Sequence, residues 1–284
     1  ASCASCVAAC PTGALGQDDD ALTLDAAACT GCGACVAVCP QRAVSIPGLL
    51  PLPPATTGRD GAVLLHCPAV RGGDSPCLNG LGLSALAQLW LDGVRRIALA
   101  VGDCEACRLG PIRSFWRDLD AVNVLLADRG LAALIATPAT ERDRARLPVL
   151  GAREDRPAAG RRAFLRGLTK GLTTDDRLEP ALARLQAHPG QGDAVRYAFS
   201  PRMDAQTCTG CMACLRICPE QSLRLIKAES GDAAYGVDPS LCSGCGLCVD
   251  LCDEDAIDIL ALAPAPPDMA LDGYRCRGCG IEAW

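Results

Sequence analysis

The sequence predicts two small α+β modules rich in cysteine, one at each end of the chain, flanking a central α/β domain with a βαβαβ order and a parallel sheet. Three observations favour this arrangement. Short cysteine repeats occur at both ends of the 284 residues. Strand-like and helix-like apolar patterns alternate in the middle, and a proline-rich and an arginine-rich segment separate the three parts.

The predicted domain boundaries follow these changes in composition. We expect a first module at 1–46, a proline-rich linker at 47–60, the central domain at 61–150, an arginine-rich linker at 151–202, a second module at 203–263 and a tail at 264–284. Prolines in the first linker prevent a continuous helix. The second linker contains apolar spacing that predicts a helix at Thr174–Ala187.

Cysteine dominates the composition, and the composition excludes several classes of protein. The chain has 21 cysteines but only 3% aromatic residues and a formal net charge of -6. An acidic chain is a poor partner for nucleic acid, which rewards a basic face. The apolar runs are far shorter than the roughly 20 residues that span a bilayer, so we expect no membrane span, although peripheral association through partners is compatible with the sequence. Metal-ligand spacing indicates a reducing compartment, and we expect a cytoplasmic protein.

The first module carries cysteines at a spacing specific to metal clusters. One complete C-x2-C-x2-C-x3-C-P motif is formed by Cys29, Cys32, Cys35 and Cys39 before Pro40. The last three positions of the same motif are formed by Cys3, Cys6 and Cys10 before Pro11. By this spacing the first cysteine would stand immediately before Ala1, so we expect the native chain to begin upstream.

The central domain is predicted from alternating elements. The expected order is a strand at Ala62–His66, a helix at Leu83–Val94, a strand at Arg96–Val101, a helix at Ile112–Arg129 and a strand at Leu134–Ala136. Strands that alternate with helices favour a parallel sheet with right-handed crossovers.

The second module repeats the cysteine spacing twice. The two copies are Cys208, Cys211, Cys214 and Cys218, and Cys242, Cys245, Cys248 and Cys252. Proline follows the first copy, whereas Asp253 follows the second. Zinc also binds four cysteines, but zinc sites usually pair two C-x2-C units across a longer gap. A run of three close cysteines with a distant fourth is instead typical of iron–sulfur clusters.

In these motifs both end modules resemble bacterial-type ferredoxins that carry two 4Fe-4S clusters. In that family the fourth cysteine of each motif binds the other cluster. The resemblance therefore implies four clusters in the full-length chain, with the ligand sets Cys208, Cys211, Cys214 and Cys252; Cys242, Cys245, Cys248 and Cys218; Cys29, Cys32, Cys35 and Cys10; and Cys3, Cys6 and Cys39 with the cysteine missing before Ala1.

The central domain contains four more cysteines, Cys67, Cys77, Cys104 and Cys107. Two of them follow neighbouring predicted strands, and the carboxyl ends of parallel strands meet at one edge of a sheet, so we expect the four to converge. Their spacing resembles thioredoxin-like 2Fe-2S ferredoxins and is similar to the iron–sulfur subunit that links hydrogenases to heterodisulfide reductase. A 2Fe-2S cluster, a structural zinc ion, and uncoordinated or redox-active thiols are all open alternatives.

Cys276 and Cys279 form a lone C-x2-C pair in the tail, for which metal binding is one open role.

Acidic residues bracket the last cysteine of the final motif: Asp250, Asp253, Glu254 and Asp255. A carboxylate about 8 Å from a cluster, at an effective dielectric near 20, opposes reduction by roughly 2 kcal/mol, or about 90 mV for one electron. We therefore expect the cluster bound by Cys252 to have a lower potential than the cluster bound by Cys218.

Together these observations predict an iron–sulfur electron-transfer protein that relays single electrons between other oxidoreductase subunits, its electron donor and acceptor. The sequence shows no nucleotide-binding motif and no catalytic residues that we could assign. Two alternatives stay open: a catalytic subunit that reduces a disulfide or sulfur compound in the central domain, and a maturation or scaffold protein with structural clusters.

Overall fold

The computed structural model has an N-terminal, a central and a C-terminal part. It describes residues 3–18, 21–41, 43–46, 57–58, 60–68, 70, 77–109, 112–150, 180–192, 194–227, 233–271, 274–275 and 282–283. None of the helices in these ranges is both long and apolar enough to cross a membrane.

The N-terminal module is built from two very short helices and a hairpin. Its elements are α1 (Ser5–Ala8), β1 (Leu15–Gln17), β2 (Leu22–Leu24) and α2 (Ala34–Ala37). The two strands pair antiparallel, with Leu15 opposite Leu24. Few of its side chains are buried, and two of those that are, Cys6 and Cys32, are cysteines. A module with so small an apolar core needs bound metal or a neighbour to hold it.

The central domain has the predicted parallel sheet. Its elements are β3 (Ala62–His66), a 3-10 turn (Leu78–Gly80), α3 (Leu83–Leu91), β4 (Arg96–Ala100), α4 (Arg113–Ala127), β5 (Ile135–Pro138) and α5 (Glu141–Arg146). Three parallel strands lie in the order β3-β4-β5. Sequential strands joined by right-handed crossovers place both intervening helices on the same face of the sheet.

The main core of the molecule lies between that face and the helices. Val63 and Ile97 from the sheet pack with Leu86 from α3 and Phe115 and Leu126 from α4, and all five are almost fully buried. This apolar burial is the main stabilising contribution to the domain. The opposite face has a smaller core, in which Leu64 and Ala98 of the sheet contact Leu147 and Val149.

The C-terminal module consists of two small sheets and three short helices. Its elements are α6 (Ala181–Gln186), β6 (Arg196–Met203), α7 (Ala213–Ile217), β7 (Leu223–Lys227), β8 (Ala233–Val237), α8 (Leu247–Asp250), β9 (Ile257–Pro264) and β10 (Met269–Leu271). β6 pairs antiparallel with β9, and the second sheet has the order β10-β8-β7. Two short strands in the tail, β11 (Tyr274–Arg275) and β12 (Glu282–Ala283), pair with each other.

The helix predicted at Thr174–Ala187 is described only in part, as Ala181–Gln186 directly after Pro180; residues 174–179 lie outside the described residues. Proline fits the start of a helix because it has no N–H to leave unpaired. The sheets also extend beyond 203–263, since β6 begins at Arg196 and β10 lies in the predicted tail.

Polar contacts fasten the C-terminal module to the end of α4. The Arg196 guanidinium donates two hydrogen bonds to Asp128, at 2.7 and 2.8 Å. Arg129, only 4% exposed, donates to the main-chain oxygens of Leu125, Gln186 and Arg196. Burial lowers the pKa of Arg129, yet the carbonyl oxygens that surround it satisfy its donors.

Candidate metal centres

One pocket of the C-terminal module is bordered by four of the predicted ligands. Cys218, Cys242, Cys245 and Cys248 line it together with Ser243. Cys218 follows α7 and the other three come from the loop and first turn of α8, so the structure brings the fourth cysteine of one motif to the first three of the other. Burial, and then the neighbouring thiolates, raise the pKa of Cys248 to about 12. Crowded buried thiolates are costly unless cations offset their charge.

The other cysteine set of this module lies against β8. Burial, followed by the charges of Cys208 and Cys211, raises the pKa of Cys214 to about 11. Cys214 and Cys252 both pack against the small apolar core around Leu223 and Ile257. The third and the fourth predicted ligands of this set therefore border the same core.

Two polar side chains next to these cysteines are buried without a hydrogen-bond partner. They are the Tyr235 hydroxyl and the Ser243 hydroxyl, and they are the buried unpartnered side-chain atoms found in the described part of the chain. Tyr235 lies close to Cys208, Cys211 and Cys214, and Ser243 lines the pocket of the other set. Buried hydroxyls normally have partners. A 4Fe-4S cluster would supply sulfur acceptors at both places, so the residues present fit that group.

Main-chain N–H groups point at the last cysteine of three motifs. The donors are Ala14 to Cys10 at 3.2 Å, Ala43 to Cys39 at 3.2 Å and Ala256 to Cys252 at 3.3 Å. In each case the donor lies four residues after the sulfur. Hydrogen bonds to sulfur stabilise its negative charge and are one means of setting the potential of a cluster.

The helices of three motifs begin in a similar way. The residue before each helix, between the second and third cysteines, has a left-handed backbone: Gly33, Met212 and Gly246, at φ of 83, 61 and 78°. This conformation lets the chain turn sharply between two ligands. It is strained for a residue with a Cβ atom, and Met212 adopts it where the other two copies have glycine.

In the N-terminal module, Cys10 of the first motif lies near the cysteines of the second motif. Burial raises the pKa of Cys35, and the thiolates of Cys32 and Cys10 raise it further. Cys10 is therefore near the set with which it was predicted to act. Cys3 and Cys29 are exposed, Cys6 is buried, and Cys39 is half-buried.

The four central cysteines come together at the carboxyl edge of the sheet. Cys67 follows β3, and its N–H donates to Ala100 at the end of β4. Burial raises the pKa of Cys77 to about 11, and Cys67 and Cys107 add to the shift. The pKa of Cys104 is raised by burial and then by Cys67 and Cys107. Asn79 ties the 3-10 turn after Cys77 to the loop after Cys107, because its side chain donates to the Leu109 carbonyl at 2.9 Å.

Within the described ranges no three Cys, His, Asp or Glu side chains lie close enough to hold a single metal ion. Cys276 and Cys279 lie outside the described residues.

Comparison with known families identifies both end modules. Residues 207–256 match one family model described as a 4Fe-4S dicluster domain, and residues 1–44 match another with the same description. No curated protein shows a significant match to the chain. The protein therefore contains two 4Fe-4S dicluster domains of the ferredoxin type, which together account for up to four 4Fe-4S clusters.

Proposed function

We propose that this protein relays single electrons between a donor and an acceptor oxidoreductase subunit, with its two dicluster domains at the ends and a further cluster in the central domain. The observation that carries the proposal is the pocket bordered by Cys218, Cys242, Cys245 and Cys248. The exchange of the fourth cysteine between motifs is how dicluster ferredoxins hold two clusters close together.

The ligand sets that we propose are those of the sequence pattern. In the C-terminal module they are Cys208, Cys211, Cys214 with Cys252, and Cys242, Cys245, Cys248 with Cys218. In the N-terminal module they are Cys29, Cys32, Cys35 with Cys10, and Cys3, Cys6 with Cys39. The clusters supply one-electron redox chemistry. The chain holds their sulfurs in place, donates N–H groups to them and excludes water from one side.

The central cysteine set, which we define as Cys67, Cys77, Cys104 and Cys107, is proposed to hold a 2Fe-2S cluster. Support comes from the mutual proximity of the four thiols at one edge of the sheet. A dithiol reductase would need only the C-x2-C pair Cys104 and Cys107, whereas a 2Fe-2S cluster uses all four thiols of the set.

The docking surface for a partner is proposed to be the acidic face beside Cys252. Asp250, Asp253, Glu254 and Asp255 are all exposed there. A basic patch on the partner would complement them, and salt would weaken the association because it screens exposed charges. The partner subunits are therefore proposed only as proteins with a complementary basic surface.

Metal analysis of anaerobically prepared full-length protein tests the proposal. Four 4Fe-4S clusters give about sixteen iron atoms per chain, and a central 2Fe-2S cluster adds about two. Cys77→Ser should remove only the second contribution and its EPR signal. Cys248→Ser, the matched control, should remove iron from a 4Fe-4S centre and leave the 2Fe-2S signal. Zinc in place of iron in correctly folded protein would contradict the proposal.

A further inference from the structure

The two dicluster domains are attached to opposite ends of helix α4. Ser114, Arg117 and Asp118, near its first turn, line a cavity whose other wall is made by Pro11 and Ala37 of the N-terminal module. At the other end, Asp128 and Arg129 bind the C-terminal module. A helix of 15 residues is about 22 Å long, so the attachment points are well separated.

The carboxyl edge of the sheet, where the central cysteine set lies, faces the N-terminal module. The first turn of α4 is at this edge, since α4 follows the loop that carries Cys104 and Cys107. The same loop is tied to the 3-10 turn by the Asn79 side chain. That turn comes directly after Cys77 and packs against α2, which carries Cys35.

We call this contact the seam: α2 on one side, and Leu78–Gly80 with Gly82 on the other. The seam is close-packed at the backbone level. A Cβ atom added to Gly82 would lie 2.5 Å from the Ala37 carbonyl oxygen and 3.0 Å from the Ala37 Cβ atom. The backbone of Gly82 is extended there, at φ -83°, so glycine is needed for space and not for an unusual conformation.

Cysteines of both modules lie next to the seam. Cys32 stands just before α2 and is 8% exposed, and Cys77 stands just before the 3-10 turn and is 7% exposed. Both cysteines are therefore buried beside the contact between α2 and the 3-10 turn. The C-terminal module is attached at the far end of the 15-residue helix α4.

We propose that the N-terminal module, and not the C-terminal module, is the electron partner of the central cysteine set, and that the seam fixes their separation. The inference rests on the proposed function, because it needs a redox-active 2Fe-2S centre in that set. In each event the centre bound by Cys10, Cys29, Cys32 and Cys35 is oxidised by one electron and the central centre is reduced by one. No bond forms or breaks, and no proton is needed.

The first experiment uses the loaded wild-type protein and needs no variant. In the fully reduced state, EPR of the central 2Fe-2S centre should show magnetic broadening and fast relaxation caused by a neighbouring reduced 4Fe-4S centre. Cys35→Ser, in the N-terminal module, should remove this interaction. Cys211→Ser, which removes a cluster ligand from the C-terminal module, should leave it intact.

The second experiment changes the seam alone. Gly82→Ala forces Ala37 away, and electron exchange between the N-terminal and central centres after flash photoreduction should slow several-fold. Gly58→Ala is the matched control, because its Cβ atom would have only ordinary contacts, the nearest at 3.4 Å. If Gly82→Ala does not fold, the wild-type EPR measurement still decides the question.

The outcomes separate this inference from the proposed function. Iron in the central set without magnetic interaction, or an interaction that only Cys211→Ser removes, would overturn the inference and leave the electron-transfer proposal standing. A central set that contains no iron would overturn the central cluster and this inference together, while the iron content of the dicluster domains would still test their role.

Discussion

The hydroxyl of Tyr235 offers the sharpest single-atom test of how the chain sets the potential of a cluster. Tyr235 is on β8, is 1% exposed, and lies between Leu225 of β7 and Met269 of β10. Burial and the charges of the nearby thiolates raise its pKa to about 12. The phenol therefore keeps its proton at neutral pH and can donate it to a sulfur.

The substitution Tyr235→Phe removes this donor and little else. A hydrogen bond to a charged acceptor contributes about 2 kcal/mol. Reduction adds a negative charge to the acceptor, so we take about 1 kcal/mol as the difference between the redox states, which corresponds to about 40 mV for one electron. The reduced state loses more than the oxidised state. The potential of the centre bound by Cys208, Cys211 and Cys214 should therefore fall by about that amount.

Anaerobic potentiometric titration followed by EPR measures the shift. Ser243→Ala should lower the potential of the other centre of the module, because the Ser243 hydroxyl lines that pocket. Tyr197→Phe is the control for loss of a tyrosine hydroxyl: this ring packs under Arg129, 5.3 Å from the guanidinium carbon, and neither potential should move. An unchanged or raised potential in Tyr235→Phe, or an equal shift of both centres, would refute the reasoning.

Three further substitutions test other parts of the structure. Asp253→Asn should raise the potential of the adjacent centre by about 20 mV, and not by 90 mV. The effect is small because the carboxylate is exposed and acts through a dielectric near that of water. Redox titration in low salt measures the shift, and no upward shift would mean that the charge has no effect. Gly244→Ala should reduce the iron content, since its Cβ atom would lie 2.6 Å from the Phe199 ring. Gly246→Ala, at a residue with a similar positive φ but open space around it, should keep its iron. Equal loss of iron in both variants would mean that backbone strain and not packing is responsible. Arg129→Met leaves buried carbonyl oxygens without donors and should destabilise the attachment of the C-terminal module by about 2 kcal/mol. Limited proteolysis between the domains should therefore be faster. A proteolysis rate equal to that of the wild type would contradict the role of this side chain.

The central domain was predictable because its apolar pattern follows the period of each element. The strand predicted at Ala62–His66 has the same first and last residues in the structure. The helix predicted at Ile112–Arg129 is Arg113–Ala127 in the structure. The ends of the C-terminal module were harder to predict. β6 contains Ser200 and Pro201 within an arginine-rich segment, and β10 has only three residues. Such strands are specified by their pairing partners and hardly at all by local sequence.

The cysteines were predictable from spacing, but the groups around them were not. Tyr235 carries no local signal, because its hydroxyl reaches the cysteines only through the pairing of β8 with β7 and β10. A small residue stands four positions after the last cysteine of each motif: Ala14, Ala43, Ser222 and Ala256. The structure shows the role of three of these positions, because Ala14, Ala43 and Ala256 each donate an N–H group to the last sulfur of the motif.

The strand β10 has a practical consequence for preparing the C-terminal domain by itself. Met269 and Leu271 pair with Tyr235 and Ala233 and cover that edge of the sheet. A shortened protein that stopped at Pro264 would retain every cysteine of the two motifs, yet it would open the phenol ring to water. Spectra from such a fragment would report a more solvent-exposed environment around Tyr235 than the intact domain provides. The shortest fragment that keeps the native environment should therefore continue through Leu271.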